Sequence, residues 1–151
     1  MPVKPSNINL FLLFKLPSAF FTGVRVNYIS EEQCITSVKH RWINQNPFKS
    51  MFWAVQGMAA ELSTGALVMD YIKQSNKQIS MLVANNKATF IKKARGKILF
   101  TCNDGITIKE TIALAIKTGE GQTCWMKSVG KDMAGDIVSE FEFEWTVKIK
   151  Q

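Results

Sequence analysis

Apolar side chains recur at helical spacing through one long stretch of the chain, Asn46–Gln74, and alternate with polar ones over most of the remainder. From Met51 through Val55, Ala59, Leu62, Ala66 and Met69 the steps are three and four, which predicts one long, mostly buried helix. Pro47 and Ser50 stand at its entrance, and the Ser50 hydroxyl suits an N-cap that accepts from the first unpaired backbone donors. Between Met51 and Asp70 the only charge is Glu61, with Gly57 and Gly65 four residues to either side on the same face. Glycine inside a helix costs about 1 kcal/mol relative to alanine. Two bare positions beside a carboxylate therefore imply close approach by another backbone or by a ligand. The plainer alternative is that Glu61 is solvated or ion-paired and the glycines merely seat a strand.

Elsewhere the period is two. Gly23–Ile29 and Cys34–Trp42 alternate, with Val38, His40 and Trp42 on one side of the second run, and Ser30–Gln33 between them reads as a hairpin turn. After the long helix, Gln78–Ala84 and Ala88–Lys93 read as strands interrupted at Asn85–Lys87, followed by a tight turn at Ala94–Gly96 and a strand over Lys97–Cys102. Thr107 with Glu110 is a capping-box pattern for a second helix over Ile108–Lys117. Two strands end the chain, Gln122–Val129 and Ile137–Lys150, the last setting Phe141, Phe143 and Trp145 against Glu140, Glu142 and Glu144. At the other end, Ser6 suits the cap of a brief helix over Leu10–Phe14; Lys15 and Pro17 cut the apolar run too short for a signal peptide. A sheet with one apolar face needs a cover, and only the long helix is apolar enough. The expected architecture is α+β: one domain over residues 1–151, a curved antiparallel sheet wrapped around a long central helix, with a short N-terminal helix and one inserted helix. Long edge strands in such a sheet invite pairing with a second copy.

Composition adds little to this, and charge somewhat more. The 151 residues are 46% hydrophobic and 21% charged, as in ordinary folded domains, and the net charge of +7 favours an anionic partner. Cys34, Cys102 and Cys124 have neither metal-ligand spacing nor a disulfide pattern, which suggests a reducing, cytoplasmic setting and no metal. No run approaches the roughly 20 apolar residues of a membrane span, so no membrane partner is expected. The aromatic residues alternate as sheet-core positions and do not interleave with basic ones, which argues against nucleic acid. His40, the only histidine, has no second ligand or nucleophile motif nearby, and Gly119-Glu120-Gly121 precedes a strand and reads as a turn.

Three short stretches carry a resemblance. Asn46-Pro47, then Ser50-Met51-Phe52-Trp53-Ala54 and the acid at Glu61, is similar to a stretch of the hotdog-fold acyl-CoA thioesterases, in which an asparagine precedes a His-Gly-Gly opening and an Asp or Glu follows about two and a half turns on. Phe90–Gly96 resembles that superfamily's Phe-x-x-Pro-Ala-x-Gly turn, with Lys93 in place of the proline, and Lys131–Gly135 resembles its Asp-x-x-Gly hairpin. The order spans about residues 23 to 150 and is closest to an uncharacterised branch related to the phenylacetate-pathway type, with Ser-Met-Phe where others carry the histidine.

The resemblance implies a homodimer or dimer of dimers that hydrolyses an acyl-CoA or similar thioester, with coenzyme A as part of the substrate and no separate cofactor. The backbone N–H groups of Trp53 and Ala54 would polarise the thioester carbonyl, Glu61 would act as nucleophile or general base, and Gln56 would orient water or substrate. Asn46, Phe52, Gly57, Met58 and Gly65 would line the acyl site, and Lys92, Lys93 and Arg95 would meet the coenzyme phosphates. Phe52 cannot make the hydrogen bonds of the family's histidine. The alternative is therefore a non-catalytic hotdog module that binds an acyl chain or lipid against Phe11, Phe14, Phe52 and Met58.

Overall fold

A computed structural model describes residues 3–151. The chain runs α1 (Pro5–Lys15), α2 (Pro17–Phe21), β1 (Arg25–Ile29), β2 (Cys34–Lys39), a 3-10 turn (Trp42–Asn44), α3 (Trp53–Ser75), β3 (Ile79–Phe90), β4 (Lys97–Cys102), α4 (Gly105–Thr118), β5 (Gln122–Lys131) and β6 (Ile137–Ile149). The six strands form one antiparallel sheet in the order β1-β2-β4-β5-β6-β3, packed on the 23-residue α3. The alternation and the long apolar stretch imply this sheet-on-helix arrangement, and it is the hotdog fold that the resemblance implies.

Small residues on α3 let the sheet come close. Ala59, Ala60, Ser63, Thr64, Gly65 and Ala66 are all buried, and Phe100, Met126, Phe141 and Trp145 fill the same core from the strands. The hydroxyls among them are paired. Thr36 Oγ1 donates to the Ala59 carbonyl at 2.7 Å, Ser63 Oγ lies 2.7 Å from Ser128 Oγ, and the Trp145 indole N–H donates to Thr64 Oγ1 at 2.9 Å. Among the described residues no buried side-chain polar atom lacks a partner, the condition under which buried polar groups cost little. Cys34 and Cys102 face each other across β2 and β4, where burial raises both thiols, Cys102 to about 12, and leaves them unreactive.

The two sheet edges differ. On the β1 edge the Asn9 side chain of α1 accepts from the Val26 N–H at 2.8 Å and donates to the Val26 carbonyl at 3.0 Å, which occupies the outward backbone groups there. The outer edge of β3 has no such cover, and from Ala84 to Phe90 every side chain is exposed.

Several boundaries depart from the sequence reading. β3 is one 12-residue strand with a register shift between Val83 and Asn85, so the expected break at Asn85–Lys87 is absorbed as an irregularity. β2 stops at Lys39. Buried Asn44 donates to the carbonyls of Thr22 and Lys39 and turns the chain, so Trp42 lies outside the strand and His40 is only half-buried. Pro17 starts α2 instead of ending structure, as a first-turn proline can, and Ser6 lies within α1, not at its cap. The residue ahead of α4 is Asp104, and Thr107 is internal. The Asp104 carboxylate accepts from the Lys127 N–H of β5 at 2.7 Å, tying α4 to the sheet.

Gly105 marks where that junction is tightest, because a Cβ there would overlap the Glu31 carbonyl. Gly105→Ala is expected to lower the stability measured by urea unfolding by about 1–3 kcal/mol. Gly121→Ala, whose added methyl meets nothing closer than 3.9 Å, should leave it within about 0.5 kcal/mol.

Candidate functional site

The entrance to α3 is built by Asn46. Its Oδ1 accepts from the Phe48 N–H at 2.8 Å and the Ser50 N–H at 3.2 Å, and its Nδ2 donates to Ser50 Oγ at 2.9 Å. Ser50 is therefore held in the loop and does not cap the helix. Phe52 takes the cap position and offers no side-chain hydrogen bond. Val55 and Gln56 donate to the Phe52 carbonyl, while the N–H groups of Trp53 and Ala54 have no partner among the described residues. Two donors at the positive end of a 23-residue helix are thus free to polarise a carbonyl.

Beside them lies a hollow of about 450 Å³ lined by Phe48, Phe52, Trp53, Gln56, Phe90 and Lys93 among others. Trp53 is 57% exposed and sits edge-on to Phe52 at 6.1 Å, so the indole borders the hollow without filling it. Gln56 is buried. Its Oε1 accepts from Ser139 Oγ of β6 at 2.8 Å, and its Nε2 makes only a long 3.5 Å contact with the Met51 carbonyl. Lys92 is held by Asp132 at 2.7 Å and Asp136 at 2.9 Å, and Arg95 donates to the Lys49 carbonyl at 3.3 Å. Lys93 has no ion-pair partner among the described residues.

Glu61 lies elsewhere. It borders a separate apolar groove of about 180 Å³ formed by Leu16 and Ala19 of the N-terminal segment, Met58 and Gly65 of α3, Met81 of β3 and Trp145 of β6. Its carboxylate has no hydrogen-bond or ion-pair partner among the described residues, and the residue is exposed to solvent on the side away from the groove. The bare positions flanking it seat β6 aromatics: a Cβ on Gly65 would meet the Trp145 ring at 3.2 Å, and one on Gly57 the Phe141 ring at 3.6 Å. Phe11 and Phe14 do not line this groove. Phe11 borders another hollow beside Met69, and Phe14 points to solvent.

The helix entrance and the acid therefore do not meet within one chain. Glu61 is eight residues beyond Trp53, about 12 Å along the axis. The contributions of Leu16, Ala19, Met81 and Ser139 escaped the sequence reading. Each is an ordinary apolar or small residue whose role comes from tertiary placement, whereas Trp145 stood out in the alternation of the last strand.

The apolar walls disfavour the charged form of Glu61 and raise its pKa above the usual carboxylate range. A folded-state pKa above the unfolded value means that folding binds a proton between the two, so stability falls as pH rises through that window. Glu61→Gln is expected to unfold at higher urea than the parent at pH 7. The advantage should vanish below about pH 4, where the unfolded carboxyl is also protonated.

No curated protein matches the chain in sequence. Solved structures match it in shape. A Pseudomonas aeruginosa protein, PA5026, described as a "Probable Thioesterase", superposes with a TM-score of 0.82 at 19% identity, covering 99% of each chain. A variant of thioesterase PA1618 from the same organism gives 0.76 at 13%, covering 99% of this chain and 97% of its own. Thioesterase HI1161 from Haemophilus influenzae gives 0.73 at 12%, covering 99% and 93%. At such identities the likeness is one of fold. The family described as "Domain of unknown function (DUF4442)" matches residues 7–147, nearly the whole chain, and the protein is a hotdog-fold member of that family.

Proposed function

We propose that the protein hydrolyses an acyl thioester, of coenzyme A or a similar carrier, at a site completed by a second copy of the chain. The observation that carries this reading is the unpartnered Glu61 carboxylate in an apolar groove, on the same helix whose first N–H groups are free. A raised carboxylate pKa suits a general base, and free N–H groups suit an oxygen that gains negative charge.

The strand edge supplies the geometry. Met81, near the start of β3, lines the Glu61 groove, and Phe90, at its end, lines the hollow at the helix entrance. Two β3 edges paired antiparallel about a twofold axis would set Phe90 of one copy beside the partner's start of β3. The helix entrance of each copy would then face the groove of the other; Asn9 occupies the Val26 backbone groups on the β1 edge, and among the described residues the β3 edge has no such cover.

In this arrangement the carbonyl oxygen accepts from the Trp53 or Ala54 N–H. Glu61 of the other copy takes a proton from water as its oxygen bonds to the carbonyl carbon. The tetrahedral centre collapses, the C–S bond breaks, and the thiolate leaves with the proton returned by Glu61; the products are a carboxylic acid and a thiol. Gln56, fixed by Ser139, has one weakly engaged amide proton for the acyl group or water. Lys93, at the rim, is placed for a carrier phosphate, and Arg95 lies near it in sequence. Asn46 acts by holding the loop. The second reading, an acyl-binding module without turnover, is favoured by one feature: Phe52 stands where the superfamily's histidine would be.

Glu61→Gln should reduce thiol release from a panel of acyl-CoAs by about 10²-fold or more. Turnover by that variant equal to the parent's would eliminate the hydrolase reading, and ligand-dependent melting without turnover by the parent would select the binding module. Trp53→Pro removes one N–H at a position where proline suits a helix. Where Trp53→Pro impairs turnover alone, as Glu61→Gln should, mixing the two variants by co-refolding should raise turnover to about a quarter of the parental value, since about half the dimers are mixed and each has one intact site of two. No recovery in demonstrably mixed dimers would contradict a shared site.

A further inference from the structure

The N-terminal segment carries an apolar surface that neither the core nor the Glu61 groove uses. From Leu10 to Phe14 α1 is a run of five apolar residues that faces both inward and outward. Ile8 and Leu12 are buried beneath it, while Leu10 and Phe14, on the opposite side, are 59% and 72% exposed. A helical stretch with apolar side chains on opposite sides is normally covered on both. The same surface continues at the end of α2, where Phe21 is 61% exposed, and at Trp42, 83% exposed, which Asn44 ties to the Thr22 carbonyl through the 3-10 turn.

The charged side chains carried by α1 and β1 are all basic; the nearest acids lie on α3, where Asp70 is buried and accepts from the Val3 N–H at 3.1 Å and Glu61 borders the groove beside Leu16 and Ala19. Lys4 and Lys15 stand at the two ends of α1, and Arg25 packs over the Phe20 ring at 3.8 Å. No aspartate or glutamate occurs before Glu31. The first acids, Glu31 and Glu32, are directed to the far end of the sheet, where their carbonyls bond Tyr71 and the start of α4. Exposed leucine, phenylalanine and tryptophan side chains with lysines at both ends of α1 match the two components of an anionic lipid interface, acyl chains beneath and phosphate groups above. A second copy docked on the same face would bring lysines against lysines, which disfavours self-association there.

From this combination we infer that α1, α2 and the Trp42 turn dock the protein in the plane of an anionic lipid surface, without spanning it. Among the described residues no helix is long and apolar enough to cross a membrane, which accords with a peripheral mode. Leu16 and Ala19, between and within these helices, also line the Glu61 groove, so the docked face adjoins an apolar opening.

Vesicle flotation tests this without reference to any activity. The protein is expected to float with vesicles of phosphatidylcholine mixed with phosphatidylglycerol, poorly with phosphatidylcholine alone, and less as salt rises. The double substitution Leu10→Ser with Phe14→Ser, at exposed positions, should weaken binding at least about tenfold with unchanged circular dichroism and unchanged mass in solution. Lys4→Gln with Lys15→Gln should weaken it by about 25-fold, near fivefold for each lysine. The inference is overturned if the parent protein does not float with anionic vesicles, or if the serine variant floats as well as the parent. It is equally overturned if the serine substitutions change the oligomeric mass, which would make this face an interface between copies.

Discussion

Close contact between α3 and the inner face of the sheet is the constraint from which the rest follows. A six-stranded sheet can pack tightly on one helix only if the helix presents small side chains, and α3 does so with alanine, serine, threonine and glycine from Ala59 to Ala66. Their hydroxyls are satisfied across the interface, so close packing is gained without orphaned polar atoms. Leu62 and Glu61 are the two larger residues on this stretch, and Glu61 is the charged one. It projects where α2, β3 and β6 leave a gap, and the Trp145 ring that needs Gly65 bare also forms a wall of that gap. The same packing that builds the core thus places an unpaired carboxylate against an apolar groove beside it.

Much of the fold was legible because its signals are local and periodic. The long helix, the final alternating strand and the β1–β2 hairpin follow from spacing alone, their order implies a sheet wrapped on the helix, and the hotdog fold follows from the family resemblance. The misses have physical causes. Ser50 looks like a cap, but Asn46 recruits it for the loop and leaves the helix entrance open, a competition between two local hydrogen-bond schemes. Asn85–Lys87 looks like a break, but backbone pairing with β6 carries the strand through it with one register shift. Pro17 looks like a stop because proline ends helices, whereas here it begins one.

The candidate site divided in the same way. Glu61 was conspicuous as the only charge on an apolar helix, and Phe90 to Arg95 as an atypical turn. The separation of acid and helix entrance is a three-dimensional property that spacing along one chain does not express. The exposed side of α1 was likewise invisible to a search for membrane spans, because a helix that lies on a lipid surface need be neither long nor uniformly buried. Asn9 bears on the proposed dimer: it occupies the Val26 backbone groups on the β1 edge, and the β3 edge is the one through which a second copy would complete the proposed site.

A dilution series that records both turnover per chain and mass by light scattering tests that dependence most directly. If each site draws its carboxylate from one copy and its N–H groups from another, turnover per chain falls in proportion to the dimer fraction as the protein dissociates. Isolated monomers that retain full turnover would contradict it.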